Sequence, residues 1–209
     1  MSQRFVIHPV HPQKRLIEQA TKILREGGLV VVPTDACYAL CCHLGDKAAV
    51  ERLRAIRGID DKHLLTILCA DLSQLGNYAQ VDNAQFRFLK AWTPGPYTFV
   101  LSATKEVPKR LAHPARKTIG LRVPNSPIVN ELLAVLGEPI LASTLKLPDQ
   151  SEPLHEPDEI VAKIGKRIDL LIDAGGLGTQ PTTIVEMGEG GPTVRRLALG
   201  GDLIVRALT

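Results

Sequence analysis

The chain has 209 residues, of which 44% are hydrophobic and 22% are charged, and its formal net charge is +3. These values are typical of a globular protein with a core, and no apolar run approaches the roughly 20 residues that span a membrane. The segment "MSQRFVIHPVHPQ" has no signal-peptide pattern, so we expect a cytoplasmic protein without a membrane partner. The cysteines (Cys37, Cys41, Cys42 and Cys69) form no C-x-x-C pair, which predicts reduced, buried thiols and no metal site.

Hydrophobic periodicity predicts helices and strands that interleave along the chain. Gly27-Gly28 ends the first helix, Asp46 and Gly58 bound the second, and Ser126 followed by Pro127 begins a later one. The first of these helices covers residues 13–26, and two further helices are predicted over residues 82–92 and 156–165. The predicted strands cover residues 5–7, 29–32, 40–44, 64–69, 97–101, 118–123, 139–144, 169–173, 182–187 and 193–197.

The order of these elements predicts the fold class. The strands at 97–101 and 118–123 follow one another without a helix between them, and so do the last three strands. Strict parallel alternation therefore fails, and we expect an α/β (α+β) fold with a twisted, open, mixed sheet flanked by helices. No linker or repeat is present, so we expect a single domain over residues 1–209. The segment "KLPDQSEPLHEPD" (146–158) is expected to be the most mobile loop.

The sequence lacks the motifs of three common kinds of functional site: the P-loop, the histidine metal site and the serine hydrolase. The glycine-rich segment "DAGGLGTQPTT" (173–183) has no Gly-Lys-Ser/Thr ending, which a P-loop requires, so we interpret it as a turn. The six histidines show no metal-ligand spacing. No G-x-S-x-G segment exists, which argues against a serine hydrolase of the α/β type.

Polar side chains stand where predicted strands end. Thr34 follows a buried strand, Ser143 and Thr144 close another, and Thr118 and Arg122 share one face of a third. Ligand sites in open sheets collect at strand ends, and arginine binds carboxylate and phosphate through paired hydrogen bonds. The pattern predicts a pocket for a ligand with carboxylate, hydroxyl and phosphate groups. The alternative is that each hydroxyl only serves a turn or a cap.

Basic residues are unevenly distributed. Residues 105–122 contain six lysines and arginines and one acid, whereas acids gather at 149–159. Two smaller basic groups lie at 52–57 and at 195–196. This segregation indicates either an anionic partner or a solvated basic face without such a role.

Four segments resemble the signatures of the YrdC-like domain family, the fold of threonylcarbamoyl-AMP synthases. The match extends from about residue 14 to about residue 200, and its details resemble the YciO branch most closely. The segments are "PTDACYAL" (33–40) for P-T-D-T-x-Y-G-L, "PGPYTFVL" (94–101) for P-G-P-x-T-x-x-L, "TIGLRVPNSP" (118–127) for T-x-G-x-R-x-P, and "IDAGGLGTQPTTIVE" (172–186) for I-D-x-G…P-S-T.

The resemblance implies an enzyme with a large concave basic face. Such enzymes use ATP, L-threonine and bicarbonate, with Mg²⁺, to make threonylcarbamoyl-AMP for the modification of adenosine 37 in tRNA. No tightly bound cofactor is expected. By the same resemblance Thr34 would contact L-threonine, Arg122 would hold its carboxylate, Thr118 would lie beside the nucleotide, and Arg196 would lie near the phosphates.

The resemblance also implies binding of tRNA or double-stranded RNA. This leaves open a second function, a non-catalytic RNA-binding module, and a third and less supported one, a small-molecule sensor. Helical RNA is recognised mainly through its backbone, for which lysines and arginines suffice. The expected RNA contacts are Arg54, Lys105, Lys109, Arg110, Arg116 and Lys117.

One family motif loses cations in this chain. The element K-x-R-x-x-x-K falls on Arg57, Ile59 and His63. A histidine with an unperturbed pKa near 6.5 is mostly neutral at pH 7, so only the first cation remains. Lys62 is adjacent but would point away from the pocket if this segment were extended.

A second motif exchanges an amide for a cation. The element S-x-N falls on Thr144, Leu145 and Lys146, so the hydroxyl remains and the asparagine does not. These positions would hold the triphosphate, where fixed positive charge assists phosphoryl transfer. We therefore expect weak or altered synthase activity, and we infer that Lys146 restores part of the charge so that the pocket still takes an anion.

Overall fold

The computed structural model describes residues 2–208, which form ten strands and seven helices. The strands are β1 (Gln3–Val6), β2 (Val30–Val32), β3 (Ala39–His43), β4 (Thr66–Leu68), β5 (Tyr97–Ser102), β6 (Thr118–Arg122), β7 (Ile140–Thr144), β8 (Leu170–Asp173), β9 (Thr183–Gly188) and β10 (Gly191–Arg196). The helices are α1 (Lys14–Arg25), α2 (Lys47–Arg57), α3 (Leu72–Tyr78), α4 (Asn83–Trp92), α5 (Pro127–Leu136), α6 (Pro157–Ile164) and α7 (Gly201–Leu208).

All ten strands belong to one sheet, in the order β1-β8-β2-β3-β7-β4-β6-β5-β9-β10. The pairs β1/β8, β8/β2, β4/β6 and β5/β9 are parallel, and the others are antiparallel. The expected mixed, open sheet with helices outside is therefore confirmed.

Local sequence signals set most of the helix ends. The Asp46 carboxylate accepts a hydrogen bond from the Ala49 amide at 2.9 Å and so caps α2. Gly58 ends that helix in the left-handed conformation, with φ of 61°. Ser126 caps α5 in the same way, immediately before the proline at its first position. These ends match the predicted ones.

Two helices, α3 and α7, have no counterpart among the predicted elements. Leu75 is the only buried residue of α3, and Ile204 is the only large apolar side chain that α7 buries. With one buried side chain, α3 gives no apolar stripe of period 3.6, whereas α7 does carry one, in Leu203, Ile204 and Ala207, and lies beyond the last predicted element.

The central strands are buried on both faces. Val30 and Val32 of β2 lie in a cluster with Ile17 of α1 and Leu132 of α5, whereas Val31 lies in the opposite cluster. Because side chains alternate along a strand, this run of valines serves two cores at once. Helices α1 and α5 cover one face of the sheet, and α2, α4 and α6 contribute to the other core.

The layer formed by α1 and α5 covers only part of its face. Within residues 2–208, the apolar cluster beneath these helices draws on β2, β3, β7, β8 and Leu68 of β4, but on no residue of β5, β6 or β9. The same face of those three strands is therefore open, and the candidate site lies there.

The structure bears on the predictions for the cysteines and for membrane-spanning segments. The four cysteines are free and buried, as predicted. In the part of the chain that the structure describes, no helix is both long enough and apolar enough to cross a bilayer.

Candidate functional site

A cavity of about 690 Å³ lies over the open part of the sheet. Its floor is formed by residues of β4, β5, β6 and β9, namely Thr66, Leu68, Thr98, Arg122 and Ile184. The volume falls within the range of about 300–1,000 Å³ that is usual for small-molecule sites. The cavity can therefore enclose a ligand of the size of a nucleotide.

Small residues on the floor of the cavity leave room above the sheet. In the sheet register Thr66 pairs with Gly120 on one side and with Ala142 on the other. A Cβ atom added to Gly120 would lie 2.9 Å from the Leu65 carbonyl oxygen and 3.2 Å from the Thr98 methyl group. Gly120 is required here because β4 and the side chains of β5 approach it closely.

Arg57, the last residue of α2, brings a buried charge to the cavity. Its side chain is 9% exposed, and its Nε donates to the Ser143 hydroxyl at 2.9 Å. Burial lowers the pKa of the Arg57 guanidinium. No carboxylate among residues 2–208 forms a salt bridge with it, so the charge is buried without an internal counter-ion.

Arg122 is buried as well but is paired. Its guanidinium donates to the Asp35 carboxylate, and the two side chains are 7% and 13% exposed. Burial lowers the pKa of Arg122, and the neighbouring Asp35 charge acts in the opposite direction. The second Asp35 oxygen, Oδ2, is buried and lacks a hydrogen-bond partner among the described residues.

The Thr34 corner is held by its own hydrogen bonds. The Thr34 hydroxyl donates to the Cys37 carbonyl at 2.7 Å and accepts from the Ala36 amide at 3.1 Å. It therefore serves a turn, as in the alternative interpretation, and Thr34 also lines the cavity. The turn fixes Asp35 so that its carboxylate meets Arg122.

Arg196 enters the cavity from the end of β10, after an irregularity in the β9/β10 register. Its Nε and Nη2 donate to the Thr182 carbonyl at 3.1 and 2.8 Å. The Thr182 hydroxyl is bonded in turn to the Thr98 hydroxyl at 2.8 Å. Arg196 is exposed as a whole, but partial desolvation of its guanidinium lowers the pKa of that group.

The segment between α2 and β4 is a turn and not an extended strand. The Asp60 carboxylate accepts from the backbone amides of Lys62 and His63, at 3.0 and 3.1 Å. As a result Lys62 and His63 both line the cavity, and the extended backbone under which Lys62 would point away is not present. Desolvation by the surrounding protein lowers the pKa of His63, and the charges of Arg57 and Arg54 lower it further, so the ring is mostly neutral at pH 7.

Of the nine residues predicted to bind substrate or nucleotide, eight line this cavity. They come from five separate segments of the chain, which the fold brings together. They are Thr34, Arg57, His63, Arg122, Ser143, Thr144, Lys146 and Arg196.

Thr118 is the predicted residue that does not line the cavity. It begins β6 opposite Ser102, four residues before Arg122. At about 3.3 Å per residue, it lies about 13 Å along the same strand face, which places it beyond the rim. Its hydroxyl is buried and has no hydrogen-bond partner among residues 2–208.

The six residues predicted to contact RNA do not all lie at the cavity. Arg116 lines the cavity, whereas Lys105 and Lys109 are exposed and outside it. Arg110 donates to the Leu44 and Gly45 carbonyls at 3.1 and 2.8 Å. The two other contacts, Lys117 and Arg54, donate to the carbonyls of Pro114 and Asp60.

The lining also includes polar and charged residues that were not among the predicted site residues, among them Thr98, Thr182, Lys62 and Glu152. Thr98 and Thr182 occupy hydroxyl positions of the P-G-P-x-T and P-S-T signatures, so those motifs contained the signal. Lys62 and Glu152 lie in connecting segments whose path depends on tertiary contacts, and no local pattern marks them.

The cavity is better suited to a metal ion that enters with a bound ligand than to one held permanently by protein side chains. Glu152 is the only carboxylate that lines the cavity, and residues 2–208 contain no group of three His, Cys, Asp or Glu side chains suited to a metal. Mg²⁺ is commonly held by one or two carboxylates together with substrate phosphates. These residues suit Mg²⁺ bound to a nucleotide.

Comparison with known proteins gives consistent matches. Residues 22–198 match the Sua5/YciO/YrdC family model, which is described as telomere recombination. The chain is 50% identical to YciO of Escherichia coli K12 over 96% of this chain and 97% of that protein. It is 32% identical to the threonylcarbamoyl-AMP synthase of Halorhodospira halophila over 86% of this chain and 94% of that enzyme.

Solved structures share the fold. The crystal structure of E. coli YciO matches with a TM-score of 0.92 over 96% of this chain and 97% of that one. The structure of P. abyssi Sua5 complexed with L-threonine matches with a TM-score of 0.83 at 24% identity, over 95% of this chain and 57% of that one.

Proposed function

This chain belongs to the Sua5/YciO/YrdC family, and from that premise we propose that it is a threonylcarbamoyl-AMP synthase with altered or weak activity. The substrates are ATP, carried with Mg²⁺, L-threonine and bicarbonate. The observation that carries the proposal is the meeting of three arginines (Arg57, Arg122 and Arg196) with several hydroxyl side chains at one cavity. This combination suits a ligand that has both carboxylate and phosphate groups.

The reaction requires two bond-forming steps. The amino group of L-threonine combines with bicarbonate to give a carbamate and water, and a carbamate oxygen then attacks the α-phosphorus of ATP with release of pyrophosphate. In the proposal Arg122 holds the L-threonine carboxylate near Thr34, and Arg57 and Arg196 face the phosphates. Fixed positive charge at a transferring phosphoryl group stabilises its transition state.

Two comparisons support this assignment. The H. halophila relative is a threonylcarbamoyl-AMP synthase that aligns with most of this chain. The P. abyssi Sua5 structure, which shares the fold, was determined with L-threonine. The expectation of weak activity comes from this chain's own residues, because Ile59 and a mostly neutral His63 replace two motif cations.

Radiolabelled bicarbonate tests the proposal. With L-threonine, ATP and Mg²⁺, we expect labelled threonylcarbamoyl-AMP above a no-enzyme blank, in lower yield than the H. halophila enzyme gives. Arg196→Gln should lower kcat/KM by about 10–100-fold, because a charge-assisted hydrogen bond to phosphate is lost. Its matched control is Arg195→Gln on the same strand, whose guanidinium pairs with Glu186 at the surface. A yield at the level of the blank would contradict the proposal.

A second candidate function is binding of tRNA or double-stranded RNA in the cytoplasm, with or without catalysis. The observation in its favour is that Arg116 lines the cavity while Lys105 and Lys109 of the same connection are exposed. Aromatic residues make up only 4% of the chain, which disfavours stacking on single strands and favours contacts to a phosphate backbone.

A salt series tests RNA binding. We expect affinity for a tRNA or an RNA duplex to fall steeply with salt, and Lys105→Gln/Lys109→Gln to reduce the slope of log affinity against log salt by about 1–2. The double variant Lys90→Gln/Lys166→Gln removes two exposed charges elsewhere and should leave the slope unchanged. A flat response of the unaltered protein to salt would exclude the phosphate backbone as the source of affinity.

A further inference from the structure

The turn at Asp60 places a lysine at the cavity, where the family motif has lost two of its three cations. Ile59 packs against the core, and His63 is mostly neutral at pH 7 for the reasons given above. Lys62, which matches no motif position, lines the cavity because Asp60 holds the backbone of residues 62 and 63 in a turn. A lysine outside the motif therefore brings a charge close to where a motif cation is missing.

A second lysine that the family motifs do not contain lies just after the end of β7. Lys146 takes the position of the family's asparagine and lines the same cavity. Its backbone amide donates to the Thr144 carbonyl at 2.8 Å, which makes a tight turn immediately after the strand. Its side chain is half-buried, whereas Lys62 is exposed.

The cavity cations differ in how firmly they are held. Arg57 and Arg196 donate to Ser143 and Thr182, and Arg122 is paired with Asp35. By contrast, neither Lys62 nor Lys146 forms a salt bridge within residues 2–208, although both line a cavity that includes one carboxylate, Glu152. These three arginines are held in place by their contacts, whereas the two lysines are flexible point charges.

We propose that Lys62 and Lys146 form a subsite for the β- and γ-phosphates of a nucleoside triphosphate and so make this cavity select triphosphates over monophosphates. The inference rests on the proposed function to the extent that a nucleotide occupies this cavity. An ammonium group on a flexible stem can adjust to the position of a phosphate, whereas the hydrogen-bonded arginines present donors in a fixed geometry. The selectivity depends on two lysines that the family's motifs do not contain, Lys62 beside one motif and Lys146 in place of the asparagine of another.

Calorimetric titration of the intact protein with Mg·ATP and with AMP tests the subsite. Lys62→Gln and Lys146→Gln should each weaken ATP binding about tenfold, and the double variant about a hundredfold if the two contacts are independent. AMP affinity should change less than about twofold, because AMP lacks the distal phosphates. Lys90→Gln, an exposed lysine of α4, is the control and should change neither affinity.

Inorganic triphosphate separates this inference from the proposed function. If the lysine variants weaken triphosphate binding, the subsite stands even where no threonylcarbamoyl-AMP is formed. If ATP binds and product forms while both single variants keep the ratio of ATP to AMP affinity, the subsite is overturned and the proposed function remains. Variants that weaken binding of duplex RNA but not of ATP would also overturn it. Unchanged thermal unfolding of the variants without ligand shows that a loss of binding is not a loss of fold.

Discussion

Replacing Arg122 with alanine is expected to lower the free energy of unfolding by about 3–5 kcal/mol, as measured by urea denaturation. The variant leaves the Asp35 carboxylate, which is 13% exposed, without its cation. One oxygen of that carboxylate already lacks a hydrogen-bond partner among residues 2–208. The Thr34 turn holds Asp35 in place, so relaxation cannot easily carry the charge to water.

Two further variants separate the buried charge from the loss of side-chain volume. Arg195→Ala removes an arginine from a salt bridge in which it is 59% exposed, and it should cost less than about 1 kcal/mol. The double variant Asp35→Ala/Arg122→Ala should be more stable than the sum of the single effects predicts, because no unpaired charge remains. An Arg122→Ala variant within about 1 kcal/mol of the unaltered protein would show that the pair contributes little.

The pairing of Arg122 with Asp35 also bears on ligand binding. A guanidinium offers five N–H donors, and Asp35 uses only part of that capacity. Lysine is not an equivalent replacement, since it lacks the planar fork that can bind two carboxylates. We therefore interpret Asp35 as a positioning residue that fixes the orientation of Arg122 before a carboxylate ligand arrives.

Much of the fold could be predicted from the sequence because its elements have local causes. Asp46 and Gly58 bound α2, and Ser126 with Pro127 begins α5, through hydrogen bonds and backbone preferences that act within a few residues. The strand order could not be predicted in this way. The short β4 lies between β6 and β7, and that placement depends on pairing between segments that are far apart in the chain.

The candidate site shows the same division. Thr34, Arg122 and Thr144 stand at strand ends, so pattern and family signature both point to them. The side chain of Lys62 follows the Asp60 turn, and no motif or periodicity in the sequence marks that turn. Thr118 shares a strand face with Arg122, but sharing a face does not set the distance at which the cavity ends.

Removing the charge of Arg57 is expected to raise the stability of the ligand-free protein, whereas removing Arg122 is expected to lower it. Arg57 is 9% exposed, donates to Ser143 at 2.9 Å, and has no carboxylate partner within residues 2–208. A buried charge without a counter-ion destabilises the ligand-free protein. An anion that enters the cavity would supply the counter-ion. The same buried charge would therefore lower the stability of the ligand-free protein and favour anion binding.

Arg57→Met keeps most of the side-chain volume and removes the charge. We expect the ligand-free variant to be more stable by about 1 kcal/mol, and so to melt about 2–4 °C higher. Saturating Mg·ATP at about 100 times its dissociation constant should stabilise the unaltered protein by about 2.7 kcal/mol, and the variant much less. Thermal unfolding with and without ATP measures both effects, with Arg87→Met on the exposed side of α4 as the control that should change neither. If Arg57→Met is less stable than the unaltered protein and keeps the full response to ATP, then Arg57 serves the fold and not the anion.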